Sequence, residues 1–177
     1  MIPPFRRAAL PPAARDRVRL DRGERALATA DLVDGSVALA TTHRLVVVGP
    51  AVGAVAPAIT VDRWVDVAAA SLAPEEGVLE VDLVAGSRRV LVLGRDRGRA
   101  FATAVRERIQ HSVLLTRTVE LGGRRVVRVT ARRTPDGEAL VQVVPGPGVQ
   151  VGDPEVAARV AEAERAVREQ VGLPPTG

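Results

Sequence analysis

Between Arg25 and Gly94 every apolar run is short and closed by turn chemistry, and this punctuation most limits what the chain can fold into. "RALATADL" gives way to Asp34-Gly35, and "SVALAT" and "RLVVVG" flank Thr41-Thr42-His43. "APAITVDRW" and "VDVAAASL" follow. Pro74-Glu75-Glu76-Gly77 then turns the chain into "VLEVDLVA", and Gly86-Ser87, read as a two-residue hairpin loop, leads into "RRVLVLG". Runs of this length rich in branched Val suit a pleated surface, and short connections between them favour antiparallel neighbours. Seven strands in a meander are expected, with Val37, Leu39, Leu45 and Val47 pointing inward and Thr41-Thr42-His43 as the turn between two of them.

The period then changes. In "RDRGRAFATAVRERIQ" Phe101, Ala104, Val105 and Ile109 share one helical stripe, so residues 97–110 are expected to form an amphipathic helix. Strands resume in "HSVLLTRTVEL" and "RRVVRVTARR", joined at Gly122-Gly123 as a two-residue hairpin, and Thr134-Pro135-Asp136-Gly137 turns into "EALVQVV". Asp153-Pro154-Glu155 has the chemistry of a helix start. Val156, Val160, Ala163, Val167 and Val171 form its apolar stripe, and Gly172 and Pro174 end it. The expected class is α+β, mainly antiparallel: seven strands, a helix, a three-stranded meander and a C-terminal helix. Residues 1–14 read as a flexible leader, 15–110 as one domain, and 111–177 as a strand-and-helix extension packed on it.

Composition narrows the chemistry. There is no cysteine, so a thiolate nucleophile, a disulfide and a Cys-based metal site are all absent. All 25 basic residues are arginine, and a chain without lysine can form neither a Walker-type phosphate loop nor a Schiff base. Aromatics are 2% of the chain, which leaves almost no stacking platform for single-stranded nucleic acid. Neither an export signal nor an apolar stretch near the roughly 20 residues of a membrane span is present, and a cytoplasmic location is expected.

Three segments resemble pleckstrin-homology-like domains of the bacterial GRAM type. "LDRGERALATA" is similar to their Gly-Glu-then-apolar first strand, and "ALATTHRLVVVG" to their strand-Thr-turn-Arg-Leu-strand hairpin. "DRWVDVAAASL" is similar to the segment where a Trp or Ile precedes the strand entering the second sheet. The resemblance implies a seven-stranded barrel capped by the amphipathic helix. Beyond residue 110 the chain resembles a family of actinobacterial proteins that carries no assigned reaction. A phosphoinositide-binding domain of this type uses basic residues in the first strand–strand loop; here that loop is "DLVDGS", with Asp31 and Asp34, so that site is not expected.

Candidate chemistry is sparse. His43 lies beside two hydroxyls, Thr41 and Thr42, but no acid is near it in sequence, and His111 sits where a helix ends. A small hydrolase or transferase using His43 is the weakest alternative, and neither a cofactor nor a metal site is expected. Charge is unevenly spread: residues 86–133 hold thirteen arginines against Asp96, Glu107 and Glu120. In "RRVVRVTARR" alternate positions pack while Arg128 and Arg132 share the opposite face. The expected function is therefore a non-catalytic interaction or scaffold module. Arg124, Arg125, Arg128 and Arg132 would meet an acidic protein surface, or an anionic membrane together with Arg95, Arg97 and Arg99. Exposed strand edges make a homodimer a further expectation.

Overall fold

The computed structural model describes residues 12–50, 56–94 and 98–174. Residues 1–11 of the expected leader, and Arg95 and Arg97, lie outside them. The fold is α+β, mainly antiparallel, with three sheets, and the chain divides into two compact units, 1–110 and 111–177. No helix among the described residues is long and apolar enough to cross a membrane.

The first unit opens with one helical turn, α1 (Pro12–Arg15). Strands β1 (Ala26–Asp31), β2 (Val37–Thr41), β3 (Arg44–Val48) and β4 (Ile59–Arg63) form a four-stranded antiparallel sheet in that order. A short 3-10 turn, Trp64–Asp66, leads into a second sheet of β5 (Val67–Ala73), β6 (Val78–Leu83) and β7 (Arg88–Val92). Helix α2 (Gly98–Ser112) follows, and Phe101, Ala104, Val105 and Ile109 are all buried with Leu45, Trp64, Leu79, Val81 and Leu91 in the main core.

The strands do not close into a barrel. The two sheets meet through an isolated bridge, Leu32↔Leu93, flanked by bonds from Val33 N–H to Val92 O and from Gly94 N–H to Asp31 O. Nor does the first sheet have one inward face. Ala38, Ala40 and Leu45 enter the main core, whereas Leu39, Val46 and Val48 pack on the opposite side with Ala14, Val18 and Ala26. The expectation that Leu39 and Leu45 point the same way is corrected by the register. Leu45 pairs with Ala40, so the neighbouring Leu39 projects from the opposite face. A strand buried on both faces loses the alternation of polar and apolar residues, which is why β2 reads as a nearly continuous apolar run.

The second unit is one sheet, β8 (Val113–Glu120), β9 (Val126–Arg133) and β10 (Ala139–Pro145), with β9 central. Helix α3 (Pro154–Gln170) buries Val160, Ala163 and Val167 against Val119, Val127, Val129 and Ala131. Asp153 caps it, its carboxylate accepting from Glu155 N–H at 2.9 Å and Val156 N–H at 3.4 Å, with Pro154 at the first helical position.

Three tight hairpins share one device. At Leu32, Leu83 and Thr134 the chain turns through three residues and returns, and the third loop residue is Gly35, Gly86 or Gly137 at positive φ. The two-residue loops expected at Gly86-Ser87 and Gly122-Gly123 are both three-residue loops, Val84–Gly86 with this device and Gly122–Arg124 with its first two residues, Gly122 and Gly123, at positive φ. A type I turn followed by a left-handed residue returns the chain one residue later than a two-residue turn does.

Burial on the outer side of the first sheet is testable. Leu39→Ala should cost about 2–5 kcal/mol in urea unfolding, as for a buried leucine. A loss below about 1 kcal/mol would mean that the α1 segment does not cover this face.

Candidate functional site

The Thr41–Arg44 turn is built around one hydroxyl. Thr41 Oγ1 accepts from His43 N–H at 3.0 Å and Arg44 N–H at 2.9 Å, the side-chain-to-backbone pattern that lets Thr close a turn. The same hydroxyl donates to Glu24 Oε1 at 2.6 Å, and Trp64 Nε1–H donates to Thr41 O at 2.9 Å. Glu24 is wholly buried at its side chain. Arg44 grips it with Nε on Oε1 at 3.0 Å and Nη2 on Oε2 at 2.9 Å, and Asp21 N–H adds 2.8 Å to Oε2. The histidine turn is thus anchored by an acid 19 positions away in sequence.

This cluster has the outline of a metal or catalytic site without its availability. Asp21, Glu24 and His43 each place one ligand atom within 4.8 Å of the others. Yet each Glu24 oxygen already accepts two hydrogen bonds, and Arg44 neutralises the carboxylate. A cation would have to displace a bidentate guanidinium. Thr41, a candidate hydroxyl for His43, is fully buried and spent on the turn. His111 lies exposed in the last turn of α2.

The predicted binding arginines are divided by the fold. Arg124, Arg125 and Arg128 are exposed, Arg128 standing on β9 opposite Thr118 and Arg124 and Arg125 at the β8–β9 turn. Arg125 Nη2 donates to Leu121 O at 3.2 Å, within its own turn. Arg132 does not join them. It is 3% exposed, and its Nη1 donates to Ser112 Oγ at 2.8 Å. The intervening Thr130 is buried too, hydroxyl to hydroxyl with Thr116, so the expected row of guanidinium groups reduces to its turn-proximal end. Arg99 lies exposed in the first turn of α2, in the other unit.

Elsewhere in the first unit three more arginines are held by carboxylates. Arg63 pairs with Asp66, Arg88 bridges Glu80 and Asp82 across the outer face of β6–β7, and Arg89 holds the buried Asp62 of β4. The Arg89–Asp62 pair stands beside a cavity of about 460 Å3 walled by Val33, Val47, Thr60, Val90, Leu91 and Val92. Val33, Val90 and Val92 are exposed there. Neither this cavity nor the Glu24 anchor is visible from local sequence, since both depend on strand order. The Gly-Glu before β1 and the Thr-x-x-Arg of the turn are the only linear traces of the anchor.

No family model, no curated protein and no solved structure matches the chain.

Glu24 gives the cluster a pH signature. Burial alone would push its carboxyl up. Hydrogen bonds from Thr41, Asp21 N–H and Arg44, with the Arg44 charge, outweigh burial and hold it below its ordinary value of 4.5. The unfolded chain therefore takes up this proton first as pH falls. The stabilisation is complete above pH 4.5 and is lost as pH drops through the depressed native value. In acid unfolding titrations Glu24→Gln should flatten that decline, and at pH 7 it should cost about 3 kcal/mol, because Arg44 loses its buried partner and keeps only the exposed Asp21 at 3.6 Å. Parallel acid limbs for the two proteins would remove Glu24 from this role.

Proposed function

We propose that the protein is a cytoplasmic, non-catalytic interaction module of pleckstrin-homology-like design, and that its second unit takes an acidic protein surface on Arg124, Arg125 and Arg128. The observation that carries this is the grouping of exposed arginines at one hairpin end. Arg124, Arg125 and Arg128 make no ion pair among the described residues, whereas Arg44, Arg63, Arg88, Arg89 and Arg168 each hold a carboxylate. Arg117 and Arg133, on β8 and β9, are also exposed and without an ion pair there. Glu120 is the one acid on the paired strands nearest the turn, opposite Val126. A guanidinium fork presented to solvent matches a carboxylate in two parallel bonds, and several on one hairpin end give orientation as well as charge.

The fold plan supports the same class. A four-stranded and a three-stranded antiparallel sheet, joined at the Leu32↔Leu93 bridge and followed by an amphipathic helix, follow the order of a pleckstrin-homology-like domain. Such a frame hosts binding more readily than it dictates chemistry. The lack of cysteine fits a reducing compartment.

The test uses the full chain and a defined acidic polypeptide, polyglutamate, at low salt. Binding should weaken at least about tenfold in R124E/R125E/R128E and stay unchanged in R63E, a surface arginine outside the set. Equal binding by the triple variant would overturn the assignment. So would wild-type protein that ignores polyglutamate but sediments with phosphatidylglycerol vesicles, which would move the partner to an anionic membrane.

A further inference from the structure

One arginine of the first unit is buried against its own charge. Arg108, on α2, is half-buried, and its Nη2 donates to Thr42 O at 3.0 Å. Its Nε is buried with no partner among the described residues, and no carboxylate there forms an ion pair with it. Burial, and then the neighbouring Arg25 guanidinium, both push the Arg108 pKa down. A cation placed this way loses hydration and gains repulsion, where Arg44 and Arg89 gain a carboxylate.

The surroundings are fixed. Arg25 N–H donates to Thr42 Oγ1 at 3.1 Å, and Thr42 N–H donates to Arg25 O at 2.9 Å, so Arg25 and Thr42 are laced together beside the β2–β3 turn. Thr42 Oγ1 uses an acceptor position in that bond, which leaves its hydroxyl proton to donate elsewhere. The acids of this corner are engaged on Arg44: Glu24 bidentately, and Asp21 at 3.6 Å. Thr42 is thus bonded both to the backbone of Arg25 and to the Arg108 guanidinium, and neither arginine forms an ion pair among the described residues.

We propose that Arg25, Arg108 and the Thr42 hydroxyl form a binding site for a phosphate-type oxyanion. A dianion offsets both guanidinium charges, whereas one carboxylate offsets one, and tetrahedral oxygens accept from several directions at once. The site is separate from the arginines of the β8–β9 turn and does not depend on their role.

Trp64 is the single tryptophan and hydrogen-bonds to Thr41 O, next to the site, so its fluorescence reports on the turn. Inorganic phosphate titrated at constant ionic strength, with chloride as the balancing anion, should give a saturable Trp64 response. R25A, at an exposed position, should weaken it at least about tenfold, R108M should remove it, and R124E/R125E/R128E should leave it intact. Competition by phosphoserine but not glycerol 3-phosphate assigns the phosphate to a protein, and the reverse assigns it to a lipid headgroup. The absence of a saturable response, or an equal response in folded R25A, overturns the site; R25A carries this test even if R108M does not fold.

Discussion

The buried carboxylate of Glu24 is the point on which the first unit turns. It joins the segment before β1 to the β2–β3 turn through Thr41 and Arg44, and Thr41 O in turn receives the indole of Trp64 from the link between the two sheets. Three chain segments that are distant in sequence are thereby pinned at one place. A buried acid is tolerable only when each lone pair is answered, and here both oxygens accept two donors. The same saturation that makes Glu24 an anchor makes it a poor ligand or base. Stability and reactivity compete for the same lone pairs, and here stability has taken them.

A chain with no lysine must use arginine for every cationic task. The structure sorts those tasks by neighbour rather than by residue type. Arg44 and Arg89 meet buried acids, Arg88 ties together the outer face of β6–β7, and Arg132 is drawn inside to Ser112. The high sequence pI of 11.1 therefore overstates the positive charge open to a partner. What is left lies on exposed arginines without an ion pair among the described residues, Arg124, Arg125 and Arg128 at the β8–β9 turn among them.

Much of the architecture was legible because its signals are local. The stripe Phe101, Ala104, Val105 and Ile109 identified α2, and Asp153-Pro154 marked the start of α3 from capping chemistry alone. Turn positions were also visible, but a glycine at positive φ serves both two- and three-residue loops, so the register at Gly86 and Gly122 shifted by one. The inward face of β2 was misjudged because alternation carries no information when both faces are covered, as the burial of Ala38 and Leu39 on opposite sides shows. Alternation also misled at β9. It placed Arg132 on a solvent face with Arg128, and the burial of that end of the strand comes from packing that no linear pattern encodes.

The half-buried Arg108, without an ion pair among the described residues, carries more information than the pairs. Asp62–Arg89 could be exchanged, in principle, for apolar residues of like volume without loss of the fold, since a buried ion pair is weak evidence for stability, and Glu24–Arg44 is accounted for by the anchor it forms with Thr41 and Asp21 N–H. Arg108 has no such account. A methionine there would fill the same space without desolvating a cation beside Arg25, so folding alone gives no reason for the charge. The Thr42 carbonyl is its one hydrogen-bond partner among the described residues, and a single neutral acceptor is small recompense for that burial. A residue that the fold does not need in its charged form is where a physical reading should look for function, and at Arg108 the missing quantity is negative charge.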